Sequence, residues 1–569
     1  MTPARAVVLC SAILVFALPE LARAMSAPVS YAAVTALFTL IVIAFVMTAA
    51  QPCARPPAAA RPRRAAAAAV GVAAAAVVVA AAFRWTHLAA WLPYHADMLI
   101  VIREATRRVL RGRNPYTIYR AFDAPWDMAM PYGPALWGPF VAAQLLRLDF
   151  RLLTIVGELL VPVWCGIAAA LETARGRTAS AASWLAVLAV LVIALDVQRY
   201  TLIGHTPIYW PLFLLLAATM ARRRWVAAAC VLGLLVVART TMVAIVPLFL
   251  AGVWTSNKDR FPAALAALTL TIAVALAPFV ASDYRAVWDS MVLSYPRVMR
   301  SAVWPVLARP GLETIGVTES LIERHHESLV VPAQIAAMLA AYTGGWIAIR
   351  RDRPALPWMA LALCAFSMTT LYPVHYLYYD VLLLLVADAL APAVAGTPAR
   401  RIATPWTLSL VATAALMVIV TRSVALPFPH VVPGRVSRDG ELRSGFAPIE
   451  HDGQRAFAWV VGHEARIVLP RSSADAADII LTARSPFTVD QPPQQMVAVL
   501  NGTVVADVAI PAGPREIRMS AARSTWWIGF NELRLVFSAT AIPRESGGGD
   551  DRRPLALSVS GVDVVSHAK

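Results

Sequence analysis

The sequence predicts a polytopic α-helical membrane protein of about 11–14 spans with a β-sandwich at its C-terminal end. Three observations carry that prediction. Of 569 residues, 59% are hydrophobic and only 15% are charged, and the mean hydropathy of +0.63 argues against a water-soluble globule. Apolar runs close to the ~20 residues needed to cross a bilayer recur through about the first 425 positions. Beyond them the apolar runs shorten, alternate with polar positions and are punctuated by turn residues, which is the pattern of strands. The chain therefore divides into three parts. Residues 1–64 hold N-terminal hydrophobic helices and a basic cytoplasmic loop, 65–425 form the membrane domain with outer loops at 84–133 and 282–330, and 426–569 form an extracytoplasmic β-domain.

Arg5, the apolar run to Leu18 and Ala22-Arg23-Ala24 suit either a signal peptide or a first helix, and an uncleaved helix is expected. The formal charge of +16 raises the question of nucleic acid. It is better explained by short arginine clusters between apolar runs, which the positive-inside rule places in the cytoplasm. RPRR at 61–64, RGR at 175–177, RRR at 222–224, NKDR at 257–260, RRDR at 350–353 and ARR at 399–401 are such clusters. Spans are expected near 65–83, 180–198, 206–221, 225–238, 240–255, 262–281, 331–349, 355–371, 374–392 and 404–424. Parity then allows an odd number of crossings in 134–172, although two apolar pieces flank Asp149; a short re-entrant piece at 134–148 resolves the conflict. The cysteines at 10, 53, 165, 230 and 364 lie in or beside spans without metal-ligand spacing, so neither a disulfide framework nor a zinc site is expected.

The first outer loop is the most informative stretch. In HADMLIVIREATRRVLRGRNPY, residues 97–111 read as an amphipathic helix. Met98, Ile102, Ala105 and Val109 fall on one face, and Arg103, Glu104, Arg107, Arg108 and Arg111 on the other. Such a helix suits a bilayer surface, with Asp97, Glu104 and Arg108 near one another and Gly112 as its C-terminal cap. Asn114-Pro115-Tyr116 turns the chain. Asp123 and Asp127 are solvated loop acids or contacts for sugar hydroxyls or a divalent cation; no other cofactor is implied. Met130-Pro131-Tyr132-Gly133-Pro134 fixes how the chain enters the following apolar segment.

In the β-domain, strands are expected at Ile479 to Ala483, Met496 to Leu500, Val504 to Ile510, Ile517 to Ser520, Glu532 to Phe537 and Leu555 to Val559. Asn501-Gly502 signals a hairpin. Trp526-Trp527 suits saccharide stacking or, more commonly, sandwich core, and the domain is expected to cover a site or position an acceptor.

Asp97 has two readings: a helix N-terminal residue favoured by the dipole, or a general base acting on an acceptor hydroxyl. The succession of the acid-bearing loop, HADMLIVIREATRRVLRGRNPY and MPYGPALWGPF resembles the polytopic GT-C class of glycosyltransferases. Within that class it looks most like the bacterial group of polyprenyl-phosphate-mannose-dependent mannosyltransferases, the glycosyltransferase 87 group. Tyr132-Gly133-Pro134 stands where that group has a Tyr-Pro-Pro-like sequence. LIGHTPIYWPLFLLLAATMARRRW is similar to its Gly-Gln span, with His205 in place of Gln. RTTMVAIVPLFL resembles its Lys-Pro span, with Arg239-Thr240 keeping the charge and losing the proline. LYPVHYLYYDVLLLL resembles a late span with a histidine, His375, and aromatics.

The resemblance covers roughly 65–425. It implies a membrane-embedded, outward-facing enzyme of the bacterial inner membrane that moves a sugar, mannose or a pentose, from a polyprenyl-phosphate donor to a lipid or glycan acceptor with inversion. Asp97 would be the base. Arg239, Arg297 and Arg300, with Arg309, would meet the leaving phosphate. Glu104, Asp127, Tyr132, His205 and His375 complete the candidate substrate contacts. Each has a plainer reading: Arg239 as a short turn between helices, the loop arginines as headgroup contacts, the histidines as packing groups. Asp380, an acid inside a span, is harder to dismiss. His325-His326 is a poor metal motif. A flippase or transporter of lipid-linked saccharides is one alternative, weakened by the lack of an inverted repeat. An O-antigen polymerase or ligase-like assembly protein is another, and it would not need the acid-bearing loop.

Overall fold

The computed structural model describes residues 1–24, 31–49, 97–119, 128–146, 150–193, 206–294, 316–371, 377–395, 442–453, 455–471, 475–527, 529–544 and 550–567, with isolated positions at 71, 75, 80 and 148. The chain forms two compact units. One comprises Met1–Arg84, Ala96–Ala142 and Arg151–Val418; the other comprises Trp85–His95, Ala143–Phe150 and Ile419–Lys569.

Helices α1 (Pro3–Ala24) and α2 (Tyr31–Ala49) pack on each other, and α3 (Asp97–Leu110) follows. A short hairpin of β1 (Ile118–Tyr119) and β2 (Met128–Ala129) leads to α4 (Pro134–Leu146) and α5 (Phe150–Ala174). The thirteen residues of α4 extend about 20 Å at the helical rise, less than a ~30 Å hydrocarbon core. Its twenty-five-residue neighbour α5 is long enough to cross.

Then come α6 (Thr178–Ile193), α7 (Pro211–Ala221), α8 (Trp225–Ala238), α9 (Val246–Ser256), α10 (Phe261–Met291), α11 (Val317–Glu323), α12 (Val330–Arg350), α13 (Ala355–Thr369) and α14 (Tyr378–Ala395). Helices α8, α12 and α13 match the expected runs at 225–238, 331–349 and 355–371 to within two residues. The run at 65–83, apart from three isolated positions, and that at 404–424 lie outside the described residues. By length and composition, three described segments can cross a membrane: Leu152–Ala174, Lys258–Met291 and Glu327–Arg350. The other apolar helices are 10–17 residues long, so the expected 11–14 spans go beyond what helix length carries.

Helix α14 lies at the centre of its unit, packed by α1, α7 and α13, and every side chain from Leu377 to Ala391 is buried. A helix apolar on all sides belongs inside, and this one breaks the pattern only at Asp380 and Asp388. By contrast α10 and α12 expose Leu270, Val274, Ile335 and Leu339 along much of their length, as lipid-facing helices do. The expected outer loop from 282 begins instead as helix, because α10 continues to Met291 across a break at Asp283 (φ −162°, ψ 95°). Asp283 restarts the helix as its N-cap, accepting the Ala286 amide at 3.0 Å.

In the second unit, strands β3 (Leu442–Ser444), β4 (Glu450–Asp452), β5 (Arg455–Val461), β6 (Glu464–Arg471), β7 (Ala477–Ser485), β8 (Gln494–Leu500), β9 (Thr503–Ile510), β10 (Gly513–Ala521), β11 (Gly529–Phe537) and β12 (Leu555–Ser566) form two antiparallel five-stranded sheets. Their orders are β10-β7-β12-β5-β4 and β3-β6-β11-β8-β9. Ile479, Leu481, Met519 and Val559 from one sheet share a core with Ile467, Leu469, Met496 and Leu533 from the other. This is the expected sandwich, and all six expected strands lie within observed ones. Asn501 (φ 51°) and Gly502 (φ 88°) make the tight turn of the β8–β9 hairpin, both with the positive φ that a two-residue turn demands. Trp526 and Trp527 are buried, so they serve the core and do not offer a stacking surface.

Asn531 fastens that core. Its amide donates to the carbonyls of Leu469 and Trp527, each at 3.1 Å, and its oxygen accepts from the Trp527 amide and the Asn501 side chain at 2.7 Å. Asn531→Leu is expected to destabilise the β-domain by about 3 kcal/mol, because several buried polar groups lose their partners at once. A melting curve on the purified full-length variant checks this; an unchanged transition would show that the network is dispensable.

Candidate functional site

An arginine within an apolar stretch must find a partner, since an uncompensated charge in such surroundings is costly. Arg239 ends α8 with an extended backbone (φ −142°, ψ 121°) before a 3-10 turn over Thr240–Ile245. Far from being a solvated turn between helices, it is 4% exposed. Its Nη1 donates to the Tyr209 hydroxyl at 3.0 Å and lies 3.3 Å from Oδ2 of Asp380. The Tyr209 hydroxyl in turn donates to Oδ1 of Asp380 at 2.7 Å. Tyr209 ends a 3-10 turn over Pro207–Tyr209 ahead of α7, and Asp380 opens α14. One carboxylate thus ties together three segments that are remote in sequence.

The extended backbone of Arg239 also accepts a neighbour. It forms an isolated antiparallel bridge with Tyr132, which brings the MPYGPALW segment onto the end of α8. Gly133 allows this approach: a methyl group there would sit 1.8 Å from the Val237 carbonyl oxygen. Pro134 follows as the first residue of α4, where a missing N–H costs nothing.

The Asn114-Pro115-Tyr116 turn docks on α10. The break at Asp283 leaves carbonyls of the preceding helical turn in need of donors. Asn114 Nδ2 supplies one, to Phe279 O at 3.2 Å, while Asn114 Oδ1 accepts the Tyr116 amide at 2.9 Å. The Phe279 ring meets Tyr116 and Trp137 edge-on, each with centroids 5.5 Å apart. The Tyr119 hydroxyl donates to Pro115 O.

Helix α3 forms where the alternation of apolar and charged residues placed it. Gly112 (φ 68°) closes it, with the Gly112 amide on Val109 O and the Arg113 amide on Arg108 O, both at 2.9 Å. The side chain of Asp97 lies outside the described residues, and the other two members of the expected polar cluster have these partners. Glu104 accepts from Arg107 at 2.9 Å and lies 3.5 Å from Arg103 Nε, whereas Arg108 donates to Asn114 O at 2.9 Å. Arg103 and Thr106 are buried, so this helix is enclosed on more than its apolar face and does not simply rest on a surface.

Of the expected site residues, Tyr132 and Arg239 come together and Glu104 sits in α3. Asp97 opens α3, but its side chain, like Asp127, His205, Arg297, Arg300 and His375, lies outside the described residues. Among the described residues no group of three or more His, Cys, Asp or Glu could hold a metal. Tyr209 is absent from the expected set and Asp380 was not placed within it. The available signal was Asp380 itself: a carboxylate in an apolar run demands a cation and a hydroxyl, and Arg239 and Tyr209 end other apolar runs.

Two outcomes follow from the network. Asp380→Asn leaves the Arg239 charge buried without its counter-charge and is expected to cost about 3–5 kcal/mol, whereas Arg239→Met combined with Asp380→Leu recovers most of that loss. Thermal unfolding of both variants in detergent decides it; equal destabilisation would remove the ion pair as the fastening. Gly133→Ala is expected to cost at least about 2 kcal/mol through overpacking against Val237. A wild-type melting temperature in that variant would contradict the close approach.

No family model and no curated protein matches the chain. Among solved structures, a family 35 carbohydrate binding module from an environmental isolate matches 22% of this chain and 88% of its own, at 13% identity and a TM-score of 0.15. The arabinosyltransferase EmbB from Mycobacterium smegmatis matches 94% of this chain and 68% of its own, at 10% identity and a TM-score of 0.19. At such scores neither likeness carries functional weight.

Proposed function

We propose that this protein is a membrane glycosyltransferase of the GT-C kind, acting at the outer face of a bacterial inner membrane on a polyprenyl-phosphate-linked sugar. The observation that supports it most is the seating of the acid-bearing loop. The Tyr132–Arg239 bridge and the Asn114–Phe279 bond fasten the stretch that follows Asp97 to the end of α8 and to α10 just before its break at Asp283, where its first segment ends. Those ends lie opposite the arginine-rich turns. α7 runs from Tyr209 to Arg222–Arg224 and α8 returns to Arg239, while α9 descends to Lys258–Arg260 and α10 returns to Phe279.

In the proposed reaction the Asp97 carboxylate removes a proton from the acceptor hydroxyl, whose oxygen attacks the anomeric carbon as the bond to the phosphate oxygen breaks. The configuration inverts, and the polyprenyl phosphate departs with the bonding electrons. Negative charge grows on that phosphate and needs fixed positive charge nearby. Arg239 is already answered by Asp380 at 3.3 Å, so the network they form has little net charge to offer. Arg297 and Arg300 are then the principal phosphate cations in this reading, and Arg239 with Tyr209 holds the floor of the site. Glu104, Asp127, Tyr132, His205 and His375 are proposed as contacts to sugar or acceptor.

Purified protein in nanodiscs, supplied with radiolabelled polyprenyl-phosphate mannose and arabinose and an extract of envelope glycolipids, tests the reading. Transfer is expected, and Asp97→Asn is expected to lower it by at least about 100-fold with donor binding retained. Turnover in that variant would remove Asp97 as the base; a lack of transfer from every donor, with donor binding intact, would favour transport or assembly of lipid-linked saccharides.

A further inference from the structure

Four arginines are buried among the described residues: Arg5, Arg103, Arg239 and Arg471. The first three each have a carboxylate oxygen within 4 Å: Asp388 at 2.5 Å, Glu104 at 3.5 Å and Asp380 at 3.3 Å. Arg471 does not. It ends β6 in the β-domain, is 1% exposed, and donates from Nη2 to the Ser566 hydroxyl at 3.0 Å. Its guanidinium carbon lies 4.3 Å from the centre of the buried Trp526 ring, while Nε and Nη1 are enclosed with no hydrogen-bond partner among the described residues.

Stacking on an indole does not satisfy in-plane N–H groups, and a desolvated guanidinium keeps its charge. A neutral residue would fill this position at lower cost, since buried charges are routinely replaced by apolar groups without loss of stability. Neighbouring acids do not resolve the matter. Asp478 is committed to Ser520, His567 and Arg518, at 2.7, 2.9 and 3.7 Å. Asp475 acts on Arg471 only through its field and makes no ion pair with it.

The location adds a second reason. Arg471 pairs with Gly529, and Ala477 pairs with both Ala521 and Ser566. The end of β6, the start of β7, the end of β10, the start of β11 and the end of β12 therefore meet at one end of the sandwich. The Asn501-Gly502 turn joins them there, through Asn501 Nδ2 on Thr525 O at 2.9 Å. Connections gathered on a rigid sandwich are where such domains bind ligands.

We propose that Arg471 is the anchor of an anion site in the β-domain, taking a carboxylate or phosphate group of a ligand, with Ser566 as a second hydrogen-bonding group. The site is independent of the transferase reading. Buried positive charge with no carboxylate within 4 Å among the described residues selects for an oxyanion and against a neutral sugar.

Calorimetric titration of the full-length protein in detergent tests it, using glucuronate and inorganic phosphate as probes and glucose as the neutral control. Saturable binding of at least one anion, with none of glucose, is expected; binding of glucuronate alone assigns the carboxylate of a sugar acid, and binding of phosphate alone assigns a phosphate group. Arg471→Met should weaken anion binding by at least tenfold while its melting temperature without anion stays equal to or above wild type. Arg471→Lys, which retains the charge, should keep part of the binding and covers the case in which the methionine variant does not fold. No anion binding to the wild type, undiminished binding in Arg471→Met, or a melting temperature clearly below wild type in both Arg471→Met and Asp475→Asn would each overturn the site, the last because Asp475 would then be the counter-charge.

Discussion

The helical unit depends on a central helix that carries two acids in its buried interior. Asp380 and Asp388 lie on α14, each buried and each answered by an arginine from a different part of the chain. Arg239 comes from the end of α8. Arg5 comes from α1, where its guanidinium also covers the Phe45 ring of α2 at 4.6 Å. Because apolar packing alone is indifferent to rotation and sliding of one greasy helix past another, such pairs fix which helices meet and at what level. Arg5 is therefore part of the packing of α14, a role that its place in a stretch resembling a signal peptide gave no hint of.

The upper end of the same helix governs the candidate site. Asp380 orients Arg239 through two atoms, its own Oδ2 and the Tyr209 hydroxyl, and the extended backbone of Arg239 is then free to take the Tyr132 bridge. Gly133 and Asp283 provide what the docking loop requires, one by lacking a side chain and the other by ending a helical segment so that Phe279 O can accept from Asn114. Each of these is a local backbone feature whose purpose is visible only beside its neighbour.

The two units differ in how charge is handled. In the helical unit buried cations are matched by acids of the chain itself. In the β-domain partly exposed charges form local pairs, such as Arg553 with Glu450 at 2.7 Å and Arg534 with Glu464 at 2.5 Å, while Arg471, the one buried cation among its described residues, is left to Ser566 and an indole.

Periodicity and turn chemistry were enough to read α3 with its Gly112 cap, the helices at 225–238, 330–350 and 355–369, and the Asn501-Gly502 hairpin with the strands from β7 onward. These are set by residues within one or two turns of each other. Strands β3 to β6 escaped notice because β3 and β4 are three residues long and β5 and β6 mix Arg, Trp and Pro into their alternation. The partners of Arg239 and Asp388, the burial of Arg103 and the isolation of Arg471 were beyond reach of the sequence alone. Hydrophobic pattern fixes that a segment is buried, but not against which segment; a charge inside an apolar run announces that a partner is needed, and only the folded chain decides which residue, tens or hundreds of positions away, supplies it.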